Sequence, residues 1–123
     1  MKKALLILAH GSRVPETCDT VKNLSQAVKE KAGEEFQLSG YAFLQFAKPT
    51  FEEAAEKLIE EGAEEVVVAP FFLFEGHHMK HDLPEALEEL NTRHPKVTFK
   101  TTGVIGEDPR MADALLDQIR KVR

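Results

Sequence analysis

The chain has 123 residues, with 16 basic against 21 acidic side chains for a formal charge of −5, and one cysteine. That length suits a single domain spanning residues 1–123, able to bury roughly two thirds of the surface its unfolded form exposes, and the lone Cys18 excludes an intramolecular disulfide. The acidic balance, without a Lys/Arg cluster or interleaved aromatics, excludes a nucleic-acid partner; no apolar run nears the roughly 20 residues of a membrane span and "MKK" precedes no cleavage pattern, so a cytoplasmic protein with no membrane partner is expected.

The first strand is expected over 3–9, in a run almost continuously apolar, as in a parallel strand covered on both faces. It ends in "HGSRVP": His10, then Gly11, which can turn sharply, and Ser12 and Arg13, which can hold an anion. An amphipathic helix follows, with Val21, Leu24 and Val28 on its core face, and Cys18 reads as a small buried or half-buried residue on it rather than a nucleophile. A second strand is expected over 37–46. Thr50 and Glu53 then have the spacing of a capping box and open a helix whose core face carries Phe51, Ala55 and Leu58. Gly62 suits the end of that helix, where φ turns positive. The acidic residues of "FEEAAEKLIEEGAEE" and "EALEEL" alternate with apolar ones at helical spacing and read as solvated faces.

The third strand, expected over 64–72, runs into "FEGHHMKHDLP", which gathers His77, His78 and His81 out of five histidines in the chain. Asp82 with Glu85 reads as the start of a helix with Leu83, Leu87 and Leu90 inward. A fourth strand is expected over 96–103. Asp108 and Pro109 open the last helix, whose Met111, Leu115, Ile119 and Val122 are expected to face the core.

This alternation predicts an α/β fold: a small doubly wound four-stranded parallel sheet with helices on both faces, a flavodoxin-like half. Ligands of such sheets bind beyond the carboxyl ends of the strands. His10 is therefore expected to share a cleft with His77, His78 and His81. Neutral imidazoles suit borderline divalent ions such as cobalt, nickel, iron or zinc. No cysteine lies nearby and Asp82 is assigned to capping, so an open site is expected, with His81 simply exposed. Phe71, Phe72 and Phe74, with Phe43 and Phe46, are expected to line or underlie a broad apolar cleft, alternate ones being core. A flat polycarboxylated ligand would fit it, with Arg13, Lys48 and Lys80 meeting the carboxylates. A histidine-phosphatase reading requires an arginine before the histidine, where this chain has Ala9, and no Walker or G-x-S-x-G sequence occurs. A non-catalytic histidine-based metal-binding or delivery protein is the alternative on the same residues.

Together, "LLILAHGSR", "FLQFAKPTFEEAAEKLIEEGAEEVVVAPFFLFEGHHMKHDLP" and "GVIGEDPRMADAL" resemble the short class II tetrapyrrole chelatases, the sirohydrochlorin cobaltochelatase family with its iron- and nickel-inserting relatives. The resemblance covers almost the whole chain. It implies ATP-independent insertion of a divalent metal, Co²⁺ foremost and Ni²⁺ or Fe²⁺ otherwise, into sirohydrochlorin on the way to cobalamin or sirohaem. The metal is then a substrate, with no permanently bound cofactor. It also implies a chelatase domain, a homodimer, and paired catalytic, metal-holding histidines at His10 and His78. Substrate contacts are expected around them from Gly11, Ser12, Arg13, Gln45, Phe72, Phe74, Gly76 and His77. Gln45 stands where the family usually carries an acid and cannot act as a base, and His77 and His81 are additional to the pattern.

Overall fold

Side chains alternate across a strand, and along β1 (Lys3–Ala9) this period sends Ala4, Leu6 and Leu8 to one core and Leu5, Ile7 and Ala9 to another, all six buried. The structure is a computed structural model that describes residues 1–122, and His78 by its backbone alone. β2 (Leu38–Phe43), β3 (Glu65–Pro70) and β4 (Thr98–Thr101) complete one parallel sheet in the order β2-β1-β3-β4. The expected doubly wound α/β architecture is present. Helices α1 (Pro15–Ala32), α2 (Phe51–Glu60) and α3 (Leu83–Arg93) connect the strands, and α4 (Arg110–Arg120) follows β4.

The larger core joins Ala4, Leu6, Leu8, Val66 and Val68 to Phe51, Ala55 and Leu58 of α2 and to Leu83 and Leu90 of α3. The smaller joins Leu5, Ile7 and Ala9 to Val21 of α1 and Phe43 of β2. The capping box at Thr50 forms as expected: Thr50 Oγ1 accepts from Glu53 N–H and the Glu53 carboxylate accepts from Thr50 N–H. Gly62 takes φ 103° just beyond α2. The Asp108 carboxylate accepts the Arg110 N–H at 2.8 Å and opens α4, with Pro109 where a missing donor is harmless.

Several expectations need correction. β1 has its expected limits, but the other strands are shorter than 37–46, 64–72 and 96–103, because the apolar pattern continues into backbone that has left the ladder. Asp82 has helical φ and ψ and makes no capping bond, because a π-helical turn over His78–Asp82 already precedes α3. Pro84 explains the wider turn: in a regular helix its ring would press on the carbonyl of Lys80, four residues back. The largest departure is α4, which buries none of its residues. Leu115, Leu116 and Ile119 are exposed, as is Val122 beyond the helix end, so among the described residues most of the expected core face is left uncovered. Val67 and Ala69 of β3 are correspondingly only half-buried. Among the described residues no helix is long and apolar enough to cross a membrane.

Candidate active site

The strand order makes β1 the switch point: the chain leaves it toward β2 on one side and reaches β3 on the other, which opens a crevice at the carboxyl ends of β1 and β3. His10 is the first residue beyond β1. Backbone bonds hold it from both flanks, with Leu44 N–H donating to the Ala9 carbonyl and Gln45 N–H to the His10 carbonyl at 3.0 Å, while Phe71 N–H donates to the Leu8 carbonyl at 2.7 Å. Gly11 follows at φ 96°, and a Cβ there would run into the Gln45 carbonyl. Only glycine permits this approach. His10, Gly11 and Gln45 therefore come together as expected from the sequence, although they arise from different strands.

The His10 imidazole is exposed and rests on Phe72, with ring centroids 4.4 Å apart and planes at 53°. Phe72 itself is 5% exposed and Phe43 1%, so most of each ring lies in the core. Phe72 supports His10 from below. Phe74, at 81%, and Phe46, at 55%, are the aromatics that the rim presents. Phe71 turns away and lines a groove with Ile7, Leu24, Val28 and Ala69 on the α1 face of the sheet.

Arg13 places its guanidinium 4.6 Å from the centroid of Phe46, a cation–π contact that holds both side chains at the rim. Phe46 adopts φ 66°, a left-handed conformation costing a non-glycine residue about 1–3 kcal/mol. Ser12 closes the start of α1: its Oγ accepts from Val14 N–H at 3.0 Å and its carbonyl from the Cys18 thiol at 3.5 Å. Cys18 is half-buried, as expected. Lys48 lies 3.9 Å from the Glu53 carboxylate. The Thr50 backbone N–H holds the Glu53 carboxyl below the usual carboxylate range, helped by the Thr50 hydroxyl and by Lys48.

The histidine segment starts at Gly76, whose carbonyl accepts from Lys80 N–H at 3.2 Å. A Cβ at Gly76 would meet nothing within 4 Å among the described residues, so none of their contacts requires glycine there. His77 and His81 are both exposed and face each other with ring centroids 4.4 Å apart. His81 is thus not merely exposed: it belongs to a pair. The side chain of His78, and with it the expected pairing of His78 with His10, lies outside the described residues. Among the described residues no three histidine, cysteine or acidic side chains converge on one point, so no closed metal cage is built from them.

A depression of about 380 Å³ lies between the loop after β2 and the start of α3 and is lined by Phe43, Leu44, Thr50, Phe51, Asp82 and Leu83. That is at the lower end of small-molecule sites. The fifth histidine is structural: His94 Nε2 lies 2.8 and 3.0 Å from the two Glu56 carboxylate oxygens and ties the end of α3 to α2. No local spacing signals this contact across 38 residues, and none signals the open face of α4.

Comparison with known proteins adds a family match. Residues 4–122 match the model of the CbiX family. The sirohydrochlorin cobaltochelatase of Sulfolobus acidocaldarius is 33% identical over 117 residues, covering 95% of this chain and 89% of that protein. The sirohydrochlorin ferrochelatase of Priestia megaterium is 32% identical over 118 residues, covering 96% of this chain but 44% of its own length. Among solved structures, the sirohydrochlorin chelatase SirB of Bacillus subtilis subspecies spizizenii in complex with cobalt superposes with a TM-score of 0.91 at 27% identity, over 99% of this chain and 51% of that one. The chain therefore spans about half of the longer relatives and nearly all of the short one.

Proposed function

The chain belongs to the CbiX family, and we propose that it inserts a divalent metal ion, Co²⁺ foremost, into sirohydrochlorin without ATP, in the cytoplasm, as a single chelatase domain over residues 1–123. The observation that carries this reading is His10: an exposed imidazole at the switch point of the sheet, fixed by backbone bonds on both flanks and braced from below by a buried ring. Insertion exchanges two inner pyrrole N–H protons for one M²⁺, so the site requires a metal ligand and a proton acceptor over the macrocycle centre. Imidazole serves both purposes near neutral pH. His10 and His78 hold the incoming ion, each through its one unprotonated ring nitrogen; as the ion passes to the pyrrole nitrogens those vacated nitrogens accept the two displaced protons, which pass on to water. Gln45, tied to His10 through the backbone, orients the ligand or a water by its amide and takes no proton. Phe74 and Phe46 offer the apolar platform, and Arg13, Lys48 and Lys80 meet the ring's carboxylates along with Gly11, Ser12 and Gly76 at the loop backbones.

The working unit is a homodimer. One copy offers a shallow rim and two uncovered apolar surfaces: the outer face of α4, and a groove of about 410 Å³ over β1 and β3 lined by Ile7, Leu24, Val28, Ala69, Phe71 and Val104. A second copy covers them and supplies the other wall around the macrocycle. The lengths support this, since the longer relatives are about twice as long as this chain.

The test is an anaerobic absorption assay of the purified protein with sirohydrochlorin and Co²⁺, Ni²⁺ or Fe²⁺ in turn. Acceleration over the protein-free reaction, greatest with Co²⁺, is expected. Metal binding without acceleration for any of the three would instead identify a delivery protein.

A further inference from the structure

We propose that His77 and His81 form a separate two-imidazole docking site for a borderline divalent cation, from which the ion moves to the insertion site. This deepens the function proposed above and rests on it for the ion's destination, though not for the binding itself. The two residues are four apart on a helical turn, a spacing that stacks side chains on one face and that elsewhere presents two histidines to one metal. The structure shows the consequence: both imidazoles are exposed and their centroids lie 4.4 Å apart, with planes at 35°. Two nitrogens bound to one tetrahedral ion at about 2.0–2.1 Å sit roughly 3.3 Å from each other. Rings this close are within reach of one ion, which side-chain rotation that presents one nitrogen from each would complete.

Two features of the pair fit arrival rather than storage. Two neutral imidazoles leave the remaining coordination positions to water, which gives an exchangeable site selective for Co²⁺, Ni²⁺ or Zn²⁺ over Mg²⁺ or Ca²⁺. The pair also sits on the segment that leaves the carboxyl end of β3, on the same rim as His10 and with His78 next to His77 in the chain. The π-helical turn that carries His81 is a local departure from regular helix of the kind that gathers at functional sites.

The probe is Ni²⁺ or Co²⁺ alone, without tetrapyrrole. In a His10→Ala/His78→Ala background, titration calorimetry is expected to show one metal ion bound per chain, with paramagnetic broadening of the His77 and His81 imidazole resonances in NMR spectra. Adding His77→Asn and His81→Asn is expected to weaken binding roughly tenfold or more. Circular dichroism of each variant, expected to be unchanged for exposed positions, shows whether the comparison is between folded proteins. Equal affinity with and without the pair, or broadening confined to other histidines, would overturn the proposal. Insertion by the wild-type protein is measured on the same preparations. Its absence would remove the chelatase reading while leaving the binding comparison to decide the site alone.

Discussion

Gly11 and Gln45 meet so closely that the rim is built from backbone as much as from side chains. Gly11→Ala combines a φ of 96° with a Cβ forced against the Gln45 carbonyl, so a loss of about 1–3 kcal/mol is expected in urea unfolding. Phe72 separates two contributions. Phe72→Leu keeps an apolar side chain in the core and should lower stability by under about 1.5 kcal/mol, yet it removes the ring on which His10 rests. A fall in insertion rate well beyond that of an equally destabilised variant elsewhere in the core would identify Phe72 as a positioning residue. His10 was legible in the sequence because an apolar run ended at a histidine followed by glycine. The burial of Phe72 was not, since which aromatic turns inward depends on how the chain leaves the β3 ladder after Pro70.

Among the elements, α2 and α4 show what periodicity can and cannot say. The signals of α2 were complete, with a capping box, an apolar stripe and a terminal glycine, and each appears in the structure. Thr50→Ala is expected to cost about 1 kcal/mol, read from the shift in denaturant midpoint. The stripe of α4 was equally legible, but a stripe records that a surface requires cover, not which chain supplies it. Leu115→Asp with Ile119→Asp should therefore leave the fold of one copy intact, because neither side chain is buried in it. Light scattering is expected to show a dimer for the wild type and a monomer for this variant. A dimer that survived both charges would place the interface elsewhere. The π-helical turn before α3 had no signature beyond Pro84, and the capping role assigned to Asp82 failed because helical backbone had already begun upstream of it.

For the whole molecule, acid sensitivity follows from three carboxylates held below their ordinary values. Asp108 is lowered from 3.8 to about 2, chiefly by the Arg110 guanidinium and then by the Arg110 backbone N–H. Glu65 is lowered from 4.5 mainly by its hydrogen bond from Lys100, and Glu53 from 4.5 by the Thr50 cap. A carboxyl with a depressed folded pKa stabilises fully above its unfolded value, and that contribution disappears as pH falls toward the folded one. Stability from these groups should thus hold from neutral pH to about 4.5 and decline below it. Asp108→Asn should flatten the part of the decline between 3.8 and about 2 in a series of denaturant titrations. The parallel sheet and the rim that carries His10 were both accessible from the order of elements, because a β-α alternation leaves few arrangements and all of them send the loops after β1 and β3 to one end. The width of the cleft was not, since strand order says nothing of how far apart the loops beyond the strands stand.

The proposal stands or falls most directly on the rate of Co²⁺ insertion into sirohydrochlorin by His10→Ala, measured anaerobically beside the wild type under identical metal and substrate. Loss of at least about 100-fold, with an unchanged circular dichroism spectrum, is the expected result for a residue that binds the ion and accepts its displaced protons. Insertion at the wild-type rate would contradict it.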